Sequence, residues 1–516
     1  MAWRPLGLSP STRYSDRIPP PGEARLMDWK QLALQAQDLV MDFPWVWVFS
    51  ALHILLWISA VLHALLYKRD PRAALGWIGV SLLFPLFGPF LYYLFGINRI
   101  VLSARQYEET QQPIAIGYEV GRRGSRTANP VVPADPALLP FVNITDRVGS
   151  LPITAGNRIG MLVEGAAAYA AMLRAVAAAR DYIVITTYIF ETDEVGREFI
   201  ESLALAVERG VVVRVILDGI GASYNWPRAR RLLRRRGIQV TRFLPPRLLP
   251  PQFHINLRNH RKIFAVDGEV GFTGGMNIGG RYLVDHQAGT GTSDLHFQVR
   301  GPVVEQLLQV FAEDWHFCTG EKLELACATA PPGGDALARC IRDGPTDDMD
   351  KISLTMMGAI AAARERVILV TPYFLPPKAI VSTLQAAALQ GVDVNVLVPE
   401  KSNLRYVDWA SRNTILELLQ QGVKIRYQPP PFAHTKLLIV DGCYAQVGSA
   451  NIDPRSLRLN FELNLEVMSA ATIAELTGYV EQRLRLCRDV TLEEIQNRSL
   501  PARVRDAFCW LFSPYL

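Results

Sequence analysis

Apolar and polar positions divide the chain into two unlike parts. From Phe43 to Tyr67 the run FPWVWVFSALHILLWISAVLHALLY carries no formal charge, and at 1.5 Å per residue it is long enough to cross a hydrocarbon core of about 30 Å. A second apolar run, Ala73 to Ile97, follows the short link KRDPR. Two such runs joined this tightly predict a transmembrane helical hairpin over residues 43–97, with Trp45, Trp47, Tyr92 and Tyr93 as interfacial aromatics. Pro85, Gly88 and Pro89 interrupt the second run and leave a kinked or re-entrant shape open. Both long ends then lie on one side of the membrane, most simply the cytoplasmic side. Residues 1–42 have no apolar period and read as a flexible lead, within which Met27 is an alternative start. A polar, proline-containing linker follows over 98–138.

Beyond it the pattern changes to short Val/Ile/Leu runs alternating with helical periods, which predicts an α/β fold with buried, largely parallel strands. The chain also repeats itself. AAARDYIVITTYIF (177–190) returns as AAARERVILVTPYF (361–374), and ALAVERGVVVRVILD (204–218) as AAALQGVDVNVLVP (386–399). These copies divide the remainder into a domain at 139–320, a linker at 321–350 and a second domain at 351–516.

The third repeated block bears chemistry. HRKIFAVDGEVGFTGGMN (260–277) matches HTKLLIVDGCYAQVGSAN (434–451). His260, Lys262, Asp267 and Asn277 recur as His434, Lys436, Asp441 and Asn451 at identical offsets. A shared fold would keep the apolar positions alone; four matching polar positions indicate a shared site, placed between duplicated domains. Two lysines and two carboxamides suit the nonbridging oxygens of a phosphoryl group. Of two imidazoles, one can attack phosphorus and the other can protonate the leaving alkoxide. Asp267 and Asp441 complete the candidate catalytic set of His260, Lys262, His434 and Lys436, and, each before a glycine at a strand end, are expected to serve it by tying the turn.

Composition narrows this little. A net charge of +5 fits an anionic partner without naming one. The six cysteines form no CxxC pair and read as reduced, packed thiols. No cofactor or metal is expected, since no carboxylate cluster or His/Cys spacing would build a cage. The arginine run RARRLLRRRG (228–237) reads as a solvated helix, with anionic lipid as the next choice. His254, His286, His296 and His316 lack counterparts in the other half and read as ordinary. Tyr188, Phe190, Tyr373 and Phe374 follow central strands and either pack there or line a lipid path.

The doubled HxK, four residues, Asp pattern resembles the phospholipase D superfamily, and the layout with its membrane end resembles its bacterial cardiolipin synthases. NLRNHRK (256–262), FTGGMNIGGRYL (272–283), FAEDW (311–315), GSANIDPRSLRLNFE (448–462) and the terminal LFSPYL (511–516) support the likeness. It implies two phospholipase D-like domains related by a pseudo-twofold axis in a multi-pass protein of the bacterial inner membrane. It implies transfer of a phosphatidyl group from one phosphatidylglycerol to another, with glycerol released. His260 would be the nucleophile and His434 the general acid. Lys262, Lys436, Asn277, Asn451 and Ser449 would hold phosphate oxygens. Asp294 and Glu462, each downstream of its histidine, would orient the rings. Where the second copy has Ser449 the first has Gly275, so that half should offer one hydroxyl fewer. Ser293 stands where the family commonly has a bulky aromatic, and the loops VDHQAGTGT (284–292) and PPPFAHTK (429–436) are this chain's own. A lipid hydrolase and a transferase using a donor such as phosphatidylethanolamine are the neighbouring alternatives. Nucleic acid is not expected as a partner, because the membrane end favours a substrate already in the bilayer.

Overall fold

A computed structural model describes residues 45–68, 71–96, 131, 133, 135–149, 151–245, 257–327, 333–345 and 348–513. The expected lead, most of the first linker and His254 lie outside these. The chain forms two compact units, residues 1–98 and 99–516.

In the first unit the helix Trp45–Tyr67 has 23 residues, or about 35 Å, and it is the one described helix long and apolar enough to cross a membrane. The second apolar run does not continue that way. The helix Pro71–Leu83 stops after 13 residues, and the chain resumes as Phe87–Leu91 and a π turn at Tyr92–Gly96. Pro85 and Pro89 lack the N–H groups a continuous helix needs. The broken arm folds against the first helix: Leu86 N–H donates to His53 Nδ1 (3.1 Å) and the Tyr92 hydroxyl lies 2.7 Å from His63 Nδ1. Tyr92, expected at an interface, is fully buried by that contact. The arm turns back on itself after Leu86, bringing Gly88 against Val80 and Tyr92 beside Trp77 and His63, so of the shapes left open by the sequence this is the re-entrant course.

The second unit is built on one large sheet. Its first half contributes β1 (Thr154–Val163), β2 (Tyr182–Thr187), β3 (Val212–Asp218), β4 (Gln239–Phe243), β5 (Ile263–Val266), β6 (Val270–Gly274), the short β7 (Thr292–Ser293) and β8 (Leu295–Arg300). Its second half contributes β9 (Ala336–Asp343), β10 (Arg366–Val370), β11 (Asp393–Pro399), β12 (Lys424–Gln428), the short β13 (Phe432–Ala433), β14 (Leu437–Val440), β15 (Tyr444–Gly448), β16 (Glu462–Met468) and β17 (Arg488–Asp489). The order is β4-β3-β2-β5-β6-β8-β1 in one half and β12-β11-β10-β14-β15-β16-β9 in the other, so the duplication is visible strand by strand. Antiparallel pairing of β1 with β9 fuses the halves, and β17 adds to β12.

Within the large sheet only β2, β3 and β4, and likewise β10, β11 and β12, are parallel; β7 and β13 form a separate pair. The expectation of a largely parallel sheet therefore fails for the rest. A tight turn joins β5 to β6, and another joins β14 to β15, and such turns connect antiparallel neighbours only. Continuous apolar sequence marked burial on both faces rather than strand direction. One core cluster takes Phe297 and Val299 from β8, Ala338 and Cys340 from β9, and Leu465 and Val467 from β16. The halves thus share an interior. The arginine run forms the helix Ala229–Arg235, with Ala229 and Leu233 buried.

Asp267 and Asp441 sit in these turns at φ 52° and 50°. Asp267 accepts from the backbone N–H groups of Arg180, Asp181 and Tyr182 at 2.8–2.9 Å. Asp441 does the same for Arg364, Glu365 and Arg366 at 2.7–2.9 Å. Each closes the start of a central strand against the neighbouring turn. Asp267→Ala and Asp441→Ala should each lower stability by about 3 kcal/mol, and the Asn variants by less, because Asn keeps an acceptor and tolerates positive φ. Urea-unfolding midpoints measure this; unchanged midpoints in the Ala variants would refute the tying role.

Candidate active site

Two short strand pairings between the halves place the histidines. β13 runs parallel to β7, and beyond it His434 N–H donates to Ser293 O (2.8 Å). In the other half Phe461 N–H donates to Arg258 O (2.8 Å) and His260 N–H to Phe461 O (2.9 Å). Each histidine is therefore pinned beside the residue preceding the other half's acid. His260 Nδ1 lies 2.9 Å from Glu462 Oε2, and His434 Nδ1 lies 2.7 Å from Asp294 Oδ2. The pairs cross between halves, where the sequence had set each acid with the histidine upstream of it. Sequence offsets are blind to this, since the partners are 202 and 140 residues apart.

Lys262 and Lys436 lie two residues beyond the histidines, on the same strand face. Lys262 Nζ donates to His260 O (2.6 Å). Lys436 Nζ donates to His434 O and lies 2.7 and 3.0 Å from the ring nitrogens of His434. Burial pushes Lys262 down to about 7 despite Glu462, with Lys436 adding to the fall. Lys436 is pushed to about 8 by burial, against the pull of Asp294 and Glu462. His434 is pushed to about 4 by burial and by Lys436, with Asp294 opposing. His260 is lowered by burial, against Glu462, and the ammoniums of Lys262 and Lys436 lower it further. Each ring senses the lysines of both halves, so the two motifs form one site.

The halves are not equivalent within it. Ser449 Oγ donates to Glu462 Oε2 (2.5 Å) and accepts from Leu463 N–H, while Asn460 Nδ2 donates to Glu462 Oε1. In the first half a Cβ on Gly275 would stand 2.4 and 2.6 Å from the Asp294 oxygens. The glycine is required by that close approach, beyond merely lacking a hydroxyl. Asn277 Oδ1 accepts from Ile189 N–H and Thr187 Oγ1, and its Nδ2 donates to the Tyr282 hydroxyl. Asn451 Oδ1 is buried without a hydrogen-bond partner among the described residues. Tyr188 stands edge-on to His260 at 5.3 Å between ring centroids. Tyr373, Phe432 and Tyr282 surround His434 at 5.9–6.3 Å. Phe190 and Phe374 pack in the core.

Asp267 and Asp441 do not join this group; β5 and β14 set them five residues beyond Lys262 and Lys436, about 17 Å along the strand. Of the other histidines, His286 pairs with Glu164 (3.1 Å) and His296 is buried behind Lys262. Ser293 Oγ donates to Glu164 and accepts from Arg483, a polar link between the halves. The loops 284–292 and 429–436 meet where Gly289 faces Pro430. Among the described residues no three His, Cys, Asp or Glu side chains converge as metal ligands.

The sequence reading missed the support behind His260. Arg261 alternates to the opposite strand face, is 1% exposed, and pairs with Asp314 (2.7 Å), which also accepts from Asn259 Nδ2. A signal existed: Asp314 interrupts the buried face of the helix Val303–Thr319 between Phe311 and Trp315.

A family model described as cardiolipin synthase, phospholipase D-like domain, matches residues 172–315 and 356–484, and one described as phospholipase D-nuclease N-terminal matches 55–96. Cardiolipin synthase A of Pseudomonas putida is 32% identical over 465 residues, 90% of this chain and 96% of that one. The cardiolipin synthase of Geobacillus kaustophilus is 31% identical over 461 residues, 87% of this chain and 90% of that one. In fold, the chain is similar to the phosphatidylserine synthase of Haemophilus influenzae, with a TM-score of 0.56 at 14% identity over 73% of this chain and 100% of that one. With both repeats matched and the likeness running through the N-terminal segment, the chain belongs to the phospholipase D-like family of the cardiolipin synthase type.

Proposed function

We propose that this protein is a membrane-anchored phosphatidyltransferase that makes cardiolipin from two molecules of phosphatidylglycerol. The observation behind this is the meeting of both His/Lys pairs in one buried site, each ring backed by a carboxylate from the other half. The relatives' names support the lipid class. The helix Trp45–Tyr67 would anchor the chain in the bacterial inner membrane, with the catalytic body on the cytoplasmic side.

In this mechanism the Nε2 lone pair of His260 attacks phosphorus. Glu462 holds the Nδ1 proton and stabilises the positive charge that develops on the ring. The bond from phosphorus to the glycerol oxygen breaks as His434 donates a proton to that oxygen. The free site holds His434 neutral, through burial and Lys436. The incoming phosphodiester neutralises the lysines, which lifts His434 and lets it take up the proton it delivers. After glycerol leaves, His434 accepts the proton of a second phosphatidylglycerol hydroxyl, whose oxygen displaces His260. Lys262, Lys436, Asn277 and Asn451 hold the nonbridging oxygens throughout. Ser449 gives its one hydroxyl proton to Glu462 and so acts through that carboxylate, and it would hold a phosphate oxygen only by turning away from it.

Purified protein given labelled phosphatidylglycerol in mixed micelles with chelator should yield cardiolipin and free glycerol; phosphatidic acid alone would point to a hydrolase and sink the transferase reading. His260→Ala and His434→Ala should each cost at least about 10³-fold in turnover, with histidine-linked lipid trapped in His434→Ala and absent in His260→Ala. A lysine holds phosphate only when protonated, and burial moves that loss from above pH 10 to the range of about 7 for Lys262 and about 8 for Lys436. KM for phosphatidylglycerol should therefore rise as pH passes from 7 to above 8; a flat KM there would argue against the lysines as phosphate holders. Gly275→Ala should displace Asp294 and lower kcat about 10²-fold or more, since mispositioned catalytic groups lose rate on this scale; wild-type kcat would show the close approach to be dispensable.

A further inference from the structure

The helix Leu500–Leu511 carries its apolar side chains on the side away from the protein. At 3.6 residues per turn Leu500, Val504, Phe508 and Leu511 form one stripe, and they are 70, 61, 61 and 65% exposed. Its opposite side is the anchored one. Asp506 is buried and paired with Arg498 and Arg505, and Arg505 stacks over Trp409 at 4.3 Å. Cys509 packs on Leu375, Val407 and Ala410. An ordinary surface helix turns its apolar stripe inward; here the polar contacts hold it outward.

We propose that this stripe is an interfacial docking surface that lies in an anionic lipid bilayer. Its size argues against a protein partner: one stripe about 18 Å long is small beside the roughly 800 Å² per partner of a stable interface, yet it suits a helix face sunk 5–10 Å into the headgroup boundary. Its charge fits anionic headgroups. Arg503 stands on a shoulder of the stripe, and the helix's single acid, Asp506, is turned inward and neutralised by Arg498 and Arg505. Its place also fits, because the cluster under Cys509 includes Tyr373, whose ring is 6.3 Å from that of His434. The surface flanks the site where a lipid substrate would arrive. Choosing a bilayer rests on the phosphatidyl-transfer reading above.

The test uses the full chain in nanodiscs containing phosphatidylglycerol, with Phe508 replaced by p-benzoylphenylalanine. Irradiation should give lipid adducts, read by mass; adducts only to a second copy, or only to the chain's own N-terminal helix, would overturn the proposal. This readout needs no turnover, so it stands apart from the proposed activity. A second arm combines Val504→Asp and Phe508→Asp. In vesicles its KM, in mole fraction of phosphatidylglycerol, should rise about tenfold with kcat unchanged, while rates on monomeric short-chain phosphatidylglycerol stay at wild-type level. Equal loss on both substrates would mark the face as structural, and no change on either would leave it without a role; both results reject docking.

Discussion

The catalytic geometry depends on two backbone pairings that cross between the halves: β13 beside β7, and the Arg258–His260 segment beside Phe461. Hydrogen bonds of 2.8–2.9 Å fix each histidine against the strand that carries the other half's acid. A single half would hold a histidine without its carboxylate and a carboxylate without its histidine. The fused sheet and the core shared by β8, β9 and β16 keep the two halves in the register this exchange needs. Fold and site are thus coupled through the same interface.

Burying two lysines beside two histidines is unfavourable by several kcal/mol per ion unless the charges are matched. Glu462 and Asp294 provide part of that match, which is why the lysines fall only to about 7 and 8. The remaining imbalance is a positively biased, water-poor site that lacks an anion. A phosphodiester fills that deficit; before it arrives, burial lowers both rings and the lysines add to the fall. Arg261 and Asp314 behind His260 neutralise one another and leave this balance intact.

Duplication produced the site, and divergence made its halves unequal. Glu462 reaches His260 with help from Ser449 and Asn460, whereas the shorter Asp294 comes close enough to exclude any side chain at Gly275. His434 is ringed by Tyr373, Phe432 and Tyr282, and His260 meets Tyr188. A double displacement asks different things of its two imidazoles, and these unlike surroundings suit a division of labour.

By itself the sequence determined what is local or repeated. Apolar runs gave the membrane-length helix and the buried strands, because length and burial are written in residue type. Recurrence of four polar residues at equal offsets in HRKIFAVDGEVGFTGGMN and HTKLLIVDGCYAQVGSAN marked a duplicated site, because hydrophobic patterning alone does not preserve His, Lys, Asp and Asn together. Only the tertiary structure decided strand direction, the course of the chain beyond the break after Leu83, the crossed His260–Glu462 and His434–Asp294 pairs, and the outward stripe of the last helix. Each depends on contacts between residues far apart in the chain or on which face of an element meets a neighbour. Spacing along a sequence constrains the side chains that share a strand face; it does not constrain which distant strand comes to lie beside it.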